Sequence, residues 1–551
     1  MFLRIFNSKS RTVTFAAFLL GISVLASRFL GLVRDRLLAG HFGATRDLDI
    51  YFAAFRVPDF VYGILIMGGI SAVFLPIFSE YFKKEDQKKA WQFANNLLNC
   101  FLILLIFICA ILAIFTPWII ELIAPGFSLE DKKEAIALTR IMFLSPIIFG
   151  ISSIFSGVLH YFDRFLAYSI APVLYNLGII FGIVYFFPIF GLYGLAYGVI
   201  LGAFLHLLIQ IPAAINCGYK YLPLLNFRNF GLIKVFRLMI PRTIGAAAYH
   251  VNLIVITAIA STLAAGSITI FNFANNLQYF PIGLIGVSFS IAAFPALSRA
   301  WASGLKEDFF NVFSSAFRQI LFLIVPISFL IFILRAHIVR LVLGTGEFGW
   351  FETQMTAASL GIFAISIFAV SFISFLARVF YSFQDTKTPV LISLASMGLN
   401  VGLCFLFVYL LAGENYFHYF ISGILKLEKI HDIRLIGLPL ALSISGIFQF
   451  FLLLFFLKKK MDIFKINEIL DSAFKVLTAS FLMVVLSYTS LFFLAGFLKT
   501  DTFVGLFLQA GSSFLVGAVV YFSVSYYLKS SELQIISSSI YNQLISRFFR
   551  K

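Results

Sequence analysis

Fourteen long apolar runs dominate this chain of 551 residues, at about 13–38, 49–79, 93–120, 135–159, 168–189, 192–216, 235–263, 267–298, 311–334, 353–380, 388–411, 435–457, 473–498 and 502–528. An α-helix needs roughly 20 apolar residues to cross a hydrocarbon core of about 30 Å. The runs meet that length, and they are continuous rather than alternating, which argues against strands. With 61% hydrophobic and 12% charged residues, no soluble fold of this size could hide the apolar surface. The expected fold is an all-α polytopic membrane protein with about 14 transmembrane helices. The net charge of +16 then reflects basic loops rather than a nucleic-acid partner.

The loops test this map. If the N-terminus lies inside, the inner loops hold 24 Lys and Arg residues and the outer loops 9. The positive-inside rule therefore puts both termini in the cytoplasm, and the expected location is the cytoplasmic (inner) membrane, spanned many times. Arg4, Lys9 and Arg11 before an apolar run mimic a secretory signal, but no small-residue cleavage site ends the run. It reads as a retained first span. The tail from Ser530 to Lys551 is too polar to span. Leu533, Ile536, Ile540, Leu544 and Phe548 recur at helical spacing, which fits a surface helix. Cys100, Cys109, Cys217 and Cys404 show no paired spacing, so neither a disulfide framework nor a metal site is inferred.

The chain also resembles itself. Ala72–Ser79 recurs as Ala292–Ser298, Pro172-Val173-Leu174 with Asn176 as Pro389-Val390-Leu391 with Asn400, and Gly194-Leu195-Ala196 as Gly437–Ala441. The echoes keep their order. They predict two six-helix lobes in parallel repeat, 1–231 and 232–460, followed by 461–551 with two extra helices and the surface helix. Such repeats are a transporter's architecture, with a site between lobes near the midplane.

Most motifs carry little chemistry. Gly344-Thr345-Gly346-Glu347-Phe348-Gly349 matches a dinucleotide fingerprint but follows no strand. There is no Walker A sequence, no H-E-x-x-H and no nucleophile–base–orienter set, so an enzyme is not expected and no cofactor is implied. Ser27-Arg28-Phe29-Leu30-Gly31-Leu32-Val33-Arg34-Asp35-Arg36 is different. It places three guanidinium groups at the end of the first span, where one arginine costs roughly 2.5–3.5 kcal/mol at the helix centre. One reading is that Arg34 and Arg36 snorkel into head groups. The other is that Arg28, Arg34 and Arg56 face a water-filled cavity as forks for a phosphate-type anion. Asp35, Asp49 and Asp59 would then hold them in place or compete with the ligand.

At this point the residues resemble a known family. Ser27-Arg28-x-Leu30-Gly31-x-x-Arg34-Asp35, Phe42-Gly43, Asp49 and Pro58 are similar to the N-terminal signature of the MurJ (MviN-type) lipid II flippases. Ala124-Pro125-Gly126-Phe127, Arg164-Phe165 with Ala171-Pro172 and Asn176, Gly346-Glu347-Phe348 and Phe380–Val390 extend the likeness over about 13–460. That family sits in a superfamily with multidrug exporters and polysaccharide-lipid flippases. The resemblance implies alternating-access transfer of an undecaprenyl-pyrophosphate-linked disaccharide-peptide, lipid II, to the outer leaflet. Membrane lipids and cell-wall synthesis proteins are the further partners it implies.

Carried over residue by residue, Arg28, Arg34, Asp35 and Asp49 match functional positions of that family, and Ser27, Arg56 and Asn276 complete the expected substrate-binding set. Two positions depart. Tyr62 stands where family members often have an arginine, and Asn275-Asn276 where an Asp-Arg pair is common. Arg56 and Arg242 are the available replacements. Residues 240–262 and 390–411 contain no Asp or Glu, which puts sodium coupling in doubt. The rivals are a flippase for another polysaccharide-lipid, a multidrug exporter of the same superfamily, and a membrane glycosyltransferase or polymerase. The last would need a substantial polar domain, and the longest polar insertion, around 412–434, is too short.

Overall fold

The computed structural model describes residues 13–84, 86–461, 466–535 and 537–538. Among them every regular element is helical. Each of the fourteen apolar runs falls on one helix. These are α1 (Val13–Phe42), α2 (46–84), α3 (Gln87–Ile123), α4 (Leu129–Tyr161), α5 (Phe165–Phe190), α6 (Leu192–Asn216) and α7 (Phe230–Ser261). They continue as α8 (Ser267–Ala302), α9 (Lys306–Val342), α10 (Trp350–Ser382), α11 (Lys387–Ala412), α12 (Arg434–Lys460), α13 (Asn467–Ala495) and α14 (Phe503–Tyr527). Among the described residues, eleven of these are long and apolar enough to cross a membrane, and α2 and α7 add the shorter apolar stretches Val73–Phe82 and Ala247–Ser261. Of the expected surface helix, Ile540, Leu544 and Phe548 lie outside the described residues, as does Ile536.

Local chemistry sets the ends. Ser128 opens α4 with a capping box: its hydroxyl accepts from Asp131 N–H at 3.1 Å, and the Asp131 carboxylate accepts from Ser128 N–H at 3.1 Å. α2 is not regular throughout. Arg46–Val61 is α-helical, Tyr62–Ile70 winds as a π-helix, and Ser71–Lys84 is α-helical again. Pro58 removes a hydrogen bond just upstream, and the glycines at 63, 68 and 69 lower the cost of the widened turn. α8 repeats the device, with Pro281 leading into a π-helical segment at Ile282–Val287.

Contacts divide the chain into two compact units. The first is Met1–Thr269 with Thr345–Gly349, and the second is Ile270–Gly344 with Trp350–Lys551. Compactness and sequence repeat are different criteria, so the first unit includes α7, which packs along the π-helical part of α2. The first unit's core is built from Phe74, Phe78, Phe93 and Phe101 with Leu97 and Leu105. The second unit's core is built from Phe309, Phe313, Phe317, Phe372 and Phe375, with Phe317 and Phe372 stacked at 4.2 Å.

The glycine-rich stretch at 344–349 has a packing role. Gly346 sits at φ +54, and a Cβ there would collide with the Gly40 carbonyl. Glu347 N–H donates to that carbonyl at 3.1 Å, closing the end of α1. This is what the glycines serve, in place of a nucleotide turn.

In the second unit α13 and α14 pack on α9, where the Tyr521 hydroxyl donates to the Phe322 carbonyl at 2.6 Å. Two apolar cavities open along them. One of about 490 Å³ is lined by Val325, Phe329, Phe332, Phe368 and Leu477. The other, of about 620 Å³, is lined by Ile331, Leu334, Ile338, Phe507 and Leu515.

Candidate functional site

The site in the first unit starts from the packing of α5. A Cβ on Gly178 would strike the backbone at Gly202, so α5 and α6 cross almost backbone to backbone. Gly178 and Gly182 lie one turn apart on that face. Asn176 is about 200° around the helix from Gly178 and points the other way, toward α1.

There it gathers the expected residues. The Asn176 amide nitrogen donates to the Ser27 carbonyl at 3.3 Å and lies 3.2 Å from the Ser27 hydroxyl. Its oxygen accepts from Arg34 Nη1 at 3.5 Å. Arg34 Nε and Nη2 both donate to one oxygen of Asp35, Oδ1, at 3.0 and 2.8 Å. The Arg34 side chain remains 23% exposed while that of Asp35 is 5% exposed. Arg34 is thus a fork held by its neighbour and by Asn176, with all three guanidinium nitrogens engaged and part of the side chain still exposed. Arg28 is half-buried on the same helix, as is Arg36.

Arg56 is buried on α2, and its Nε donates to the Thr257 hydroxyl on α7 at 2.7 Å. Thr257 passes the bond on to the Leu253 carbonyl at 2.8 Å. Asp59, one turn along α2, feels the positive charges of both Arg56 and Arg34. His250 packs its ring where Gly63 lacks a side chain, at the start of the π-helical segment. The backbone at Arg242 is part of α7, but its side chain lies outside the described residues.

Asp49 is fully buried and takes three donors. Gly266 N–H reaches one oxygen at 2.7 Å, while Thr269 N–H and hydroxyl reach the other at 2.9 and 2.8 Å. Arg46 stands 3.8 Å away. The carboxylate therefore caps the first turn of α8, where the free N–H groups and the helix dipole favour an anion. Asn276 belongs to the second unit and is half-buried. Its neighbour Asn275 accepts from Gln278 at 2.8 Å.

The structure therefore joins Ser27, Arg34 and Asp35 through Asn176, and it anchors Arg56 and Asp49 separately within the same unit. Sequence reading named Asn176 only as part of a resemblance and a repeat. Its organising role was visible in one signal: an amide placed in an apolar run, opposite a face of glycines. Thr257 gave no signal, because its partner is 201 residues away.

The fold is that of an α-helical membrane transporter. It is similar to a multidrug resistance MATE family transporter of the MOP superfamily in an inward-facing conformation, with a TM-score of 0.63 and 15% identity over 79% of this chain and 94% of that one. It is also similar to a lipid II flippase MurJ in an inward closed conformation, with a TM-score of 0.72 and 24% identity over 96% and 100%. In sequence, the probable lipid II flippase MurJ of Buchnera aphidicola subsp. Schizaphis graminum is 29% identical over 513 residues, which is 92% of this chain and 95% of the relative. Residues 38–508 match the family model described as lipid II flippase MurJ, and the chain belongs to that family.

Proposed function

We propose that this protein moves lipid II from the inner to the outer leaflet of the cytoplasmic membrane by alternating access. The observation that carries this is Arg34: a guanidinium on an apolar helix, oriented by Asp35 and Asn176 and still partly exposed. A planar fork suits a pyrophosphate, which offers two oxygens and more charge than one carboxylate. In this reading the ligand competes with Asp35 for Arg34. Arg28 supplies the second cation, and Ser27 and Asn176 keep both arginines in register. Arg56 serves from α2, Asp49 acts by fixing the first turn of α8, and Asn276 is the head-group contact we assign to the second unit. The two apolar cavities beside α13 and α14 suit an isoprenoid tail, which needs area rather than hydrogen bonds.

The reading keeps the repeat division of 1–231, 232–460 and 461–551, with both termini in the cytoplasm. π-helical segments that begin at Tyr62 and Ile282, 220 residues apart, support the repeat. The protein acts as a transporter without a covalent step. The test is complementation of a host depleted of its own lipid II flippase, with radiolabelled lipid II transfer followed in vesicles. Growth rescue by the wild type and loss with Arg34→Ala are expected. A wild-type chain that folds but moves no lipid II would overturn the assignment.

A further inference from the structure

The segment that joins α6 to α7 is an extended stretch with an unusual surface. Tyr221, Leu225, Phe227 and Phe230 are 62%, 57%, 60% and 77% exposed, and residues 220–228 are all exposed. Beside them stand the exposed cations Lys220 and Arg228; on α7 beyond, Lys234 is paired with Glu80 at 2.7 Å and Arg237 is exposed. Residues 211–240 contain no Asp or Glu. In water such a surface would be costly. In the membrane the objection is usually the reverse: irregular backbone cannot enter lipid, because each unmet N–H or C=O costs several kcal/mol.

Three buried asparagines on α3 meet half of that objection, which is enough for a seat at the hydrated interface rather than in the hydrocarbon core. Asn95 donates to the Lys220 carbonyl at 2.9 Å and accepts from Leu222 N–H at 3.0 Å and the Tyr219 hydroxyl at 2.9 Å. Asn99 donates to the carbonyls of Leu222 and Leu224, both at 3.0 Å. Asn96 pairs with both backbone groups of Asn226, donating at 2.9 Å and accepting at 2.6 Å. Pro223 has no N–H to satisfy. The carbonyls of Lys220, Leu222, Leu224 and Asn226 and the N–H groups of Leu222 and Asn226 are thus met from α3, the alternate backbone groups are left to the water of the interface, and the apolar side chains are exposed.

We infer that this linker is a membrane-interface strap, seated in the leaflet on the N-terminal side, and that its occupant is anionic phospholipid. Aromatic rings and leucines enter the acyl boundary while Lys220 and Arg228 reach phosphate head groups, the arrangement of an interfacial anchor. Its chain is continuous with α6 and α7, which end at that surface. The charge is of one sign, so a neutral leaflet would leave it unmatched.

The experiment uses the full chain with Cys217→Ser and Phe227→Cys; Cys100, Cys109 and Cys404 are buried. A nitroxide at 227 in vesicles of phosphatidylcholine and phosphatidylglycerol should collide with oxygen more than with a water-soluble nickel chelate. A fluorophore there should be quenched more by head-group-labelled phosphatidylglycerol than by labelled phosphatidylcholine. Adding Lys220→Gln and Arg228→Gln should cut that preference by up to about fivefold per charge. Asn96→Leu, close in volume, should move the nitroxide toward nickel access. A label open to nickel in the parent would overturn the strap. Equal quenching by the two lipids would overturn the anionic partner. A label shielded from both oxygen and nickel would mean that a protein covers the segment instead.

Discussion

α2 in the first unit and α8 in the second are built to one plan and charged to different ones. Each passes through a π-helical segment, at Tyr62–Ile70 and Ile282–Val287, and each carries a proline soon after, Pro76 and Pro295. The offset of 220 that carries Tyr62 to Ile282 also carries Arg56 to Asn276. Where the first unit has a guanidinium held by Thr257, the second has an amide beside the Asn275–Gln278 bond. α5 and α11 differ in the same way. Asn176 serves a charged arginine, whereas its echo Asn400 accepts from the neutral Ser445 hydroxyl at 3.4 Å. Amides keep a polar face at modest cost. Charges in a span cost several times more and are retained where a charged ligand or a fixed partner needs them. The difference teaches that, between these paired helices, the buried charges are kept in the first unit, where the proposed binding chemistry lies.

The sharpest way to break this comparison is to remove its charges. Arg34→Ala and Arg28→Ala should each reduce lipid II transfer by about a hundredfold, as expected for losing a charge-assisted bond pair. Folded protein in the membrane should be unchanged, because removing an intramembrane charge eases insertion. Arg28→Lys should also transfer poorly, since lysine lacks the planar fork. If Arg34 serves only to pair Asp35, its loss strands that carboxylate, and Arg34→Ala with Asp35→Asn should restore both yield and transfer. Complementation read together with the folded protein level separates the two outcomes.

Exchanging the repeats should give the next largest effect. Asn276→Arg puts a cation into the neutral copy, and folded yield should fall with a cost of about 2.5–3.5 kcal/mol if no partner is found. Arg56→Asn makes the first unit resemble the second. It should weaken transfer by about tenfold while stability stays within about 1 kcal/mol, because the lost Thr257 bond is offset by relief of a buried charge. A stable, fully active Arg56→Asn protein would remove Arg56 from the site.

A smaller effect concerns coupling. The seventh and eleventh spans contain no carboxylate at 240–262 or 390–411, so a hard cation lacks its usual ligands there. Transfer in vesicles should change less than about twofold when sodium is replaced by potassium. A membrane potential should change it more, at about 2.3 kcal/mol per elementary charge per 100 mV. Strict sodium dependence would show that the neutral repeat has ligands the amides do not reveal.

The helix inventory was legible because hydropathy and length depend on composition, which a run of residues carries by itself. Family membership was legible in the spacing from Ser27 to Asp35 and in the motifs after it. The partners were not. Nothing local links Arg56 to Thr257, and Asp49 looked like one more acid near the arginines. Its three donors come from residues 217 and 220 positions away. The asparagine ladder of α3 was equally hidden, since Asn95, Asn96 and Asn99 acquire meaning only when an extended backbone lies across them. Close approach also had to be seen. Without a strand before it Gly344–Gly349 carries no nucleotide reading, but what its glycines serve is seen only where Gly346 lies against the Gly40 carbonyl.

The smallest effect expected is at Asp385, in the turn between α10 and α11, where the second unit does keep an ion pair. Gln384 is left-handed at φ +61, which turns the chain so that Asp385 faces Lys460 at the end of α12. Burial pushes the carboxyl up. The Lys460 bond, the Thr388 hydroxyl at 2.7 Å, the Thr388 N–H at 3.0 Å and the Lys460 charge outweigh it and hold the group at about 2, against an ordinary 3.8. A depressed carboxyl stabilises the fold above its unfolded value and loses that contribution as the pH falls through the folded one. The window therefore lies between about pH 4 and pH 2. Asp385→Asn should flatten the pH dependence of thermal stability in that window and leave it unchanged near neutrality apart from a constant offset. Lys460→Met should narrow the window by returning Asp385 toward 3.8. Neither should alter the lipid II affinity of the charged first unit, and a change in affinity with either would mean that the neutral repeat shares the binding chemistry after all.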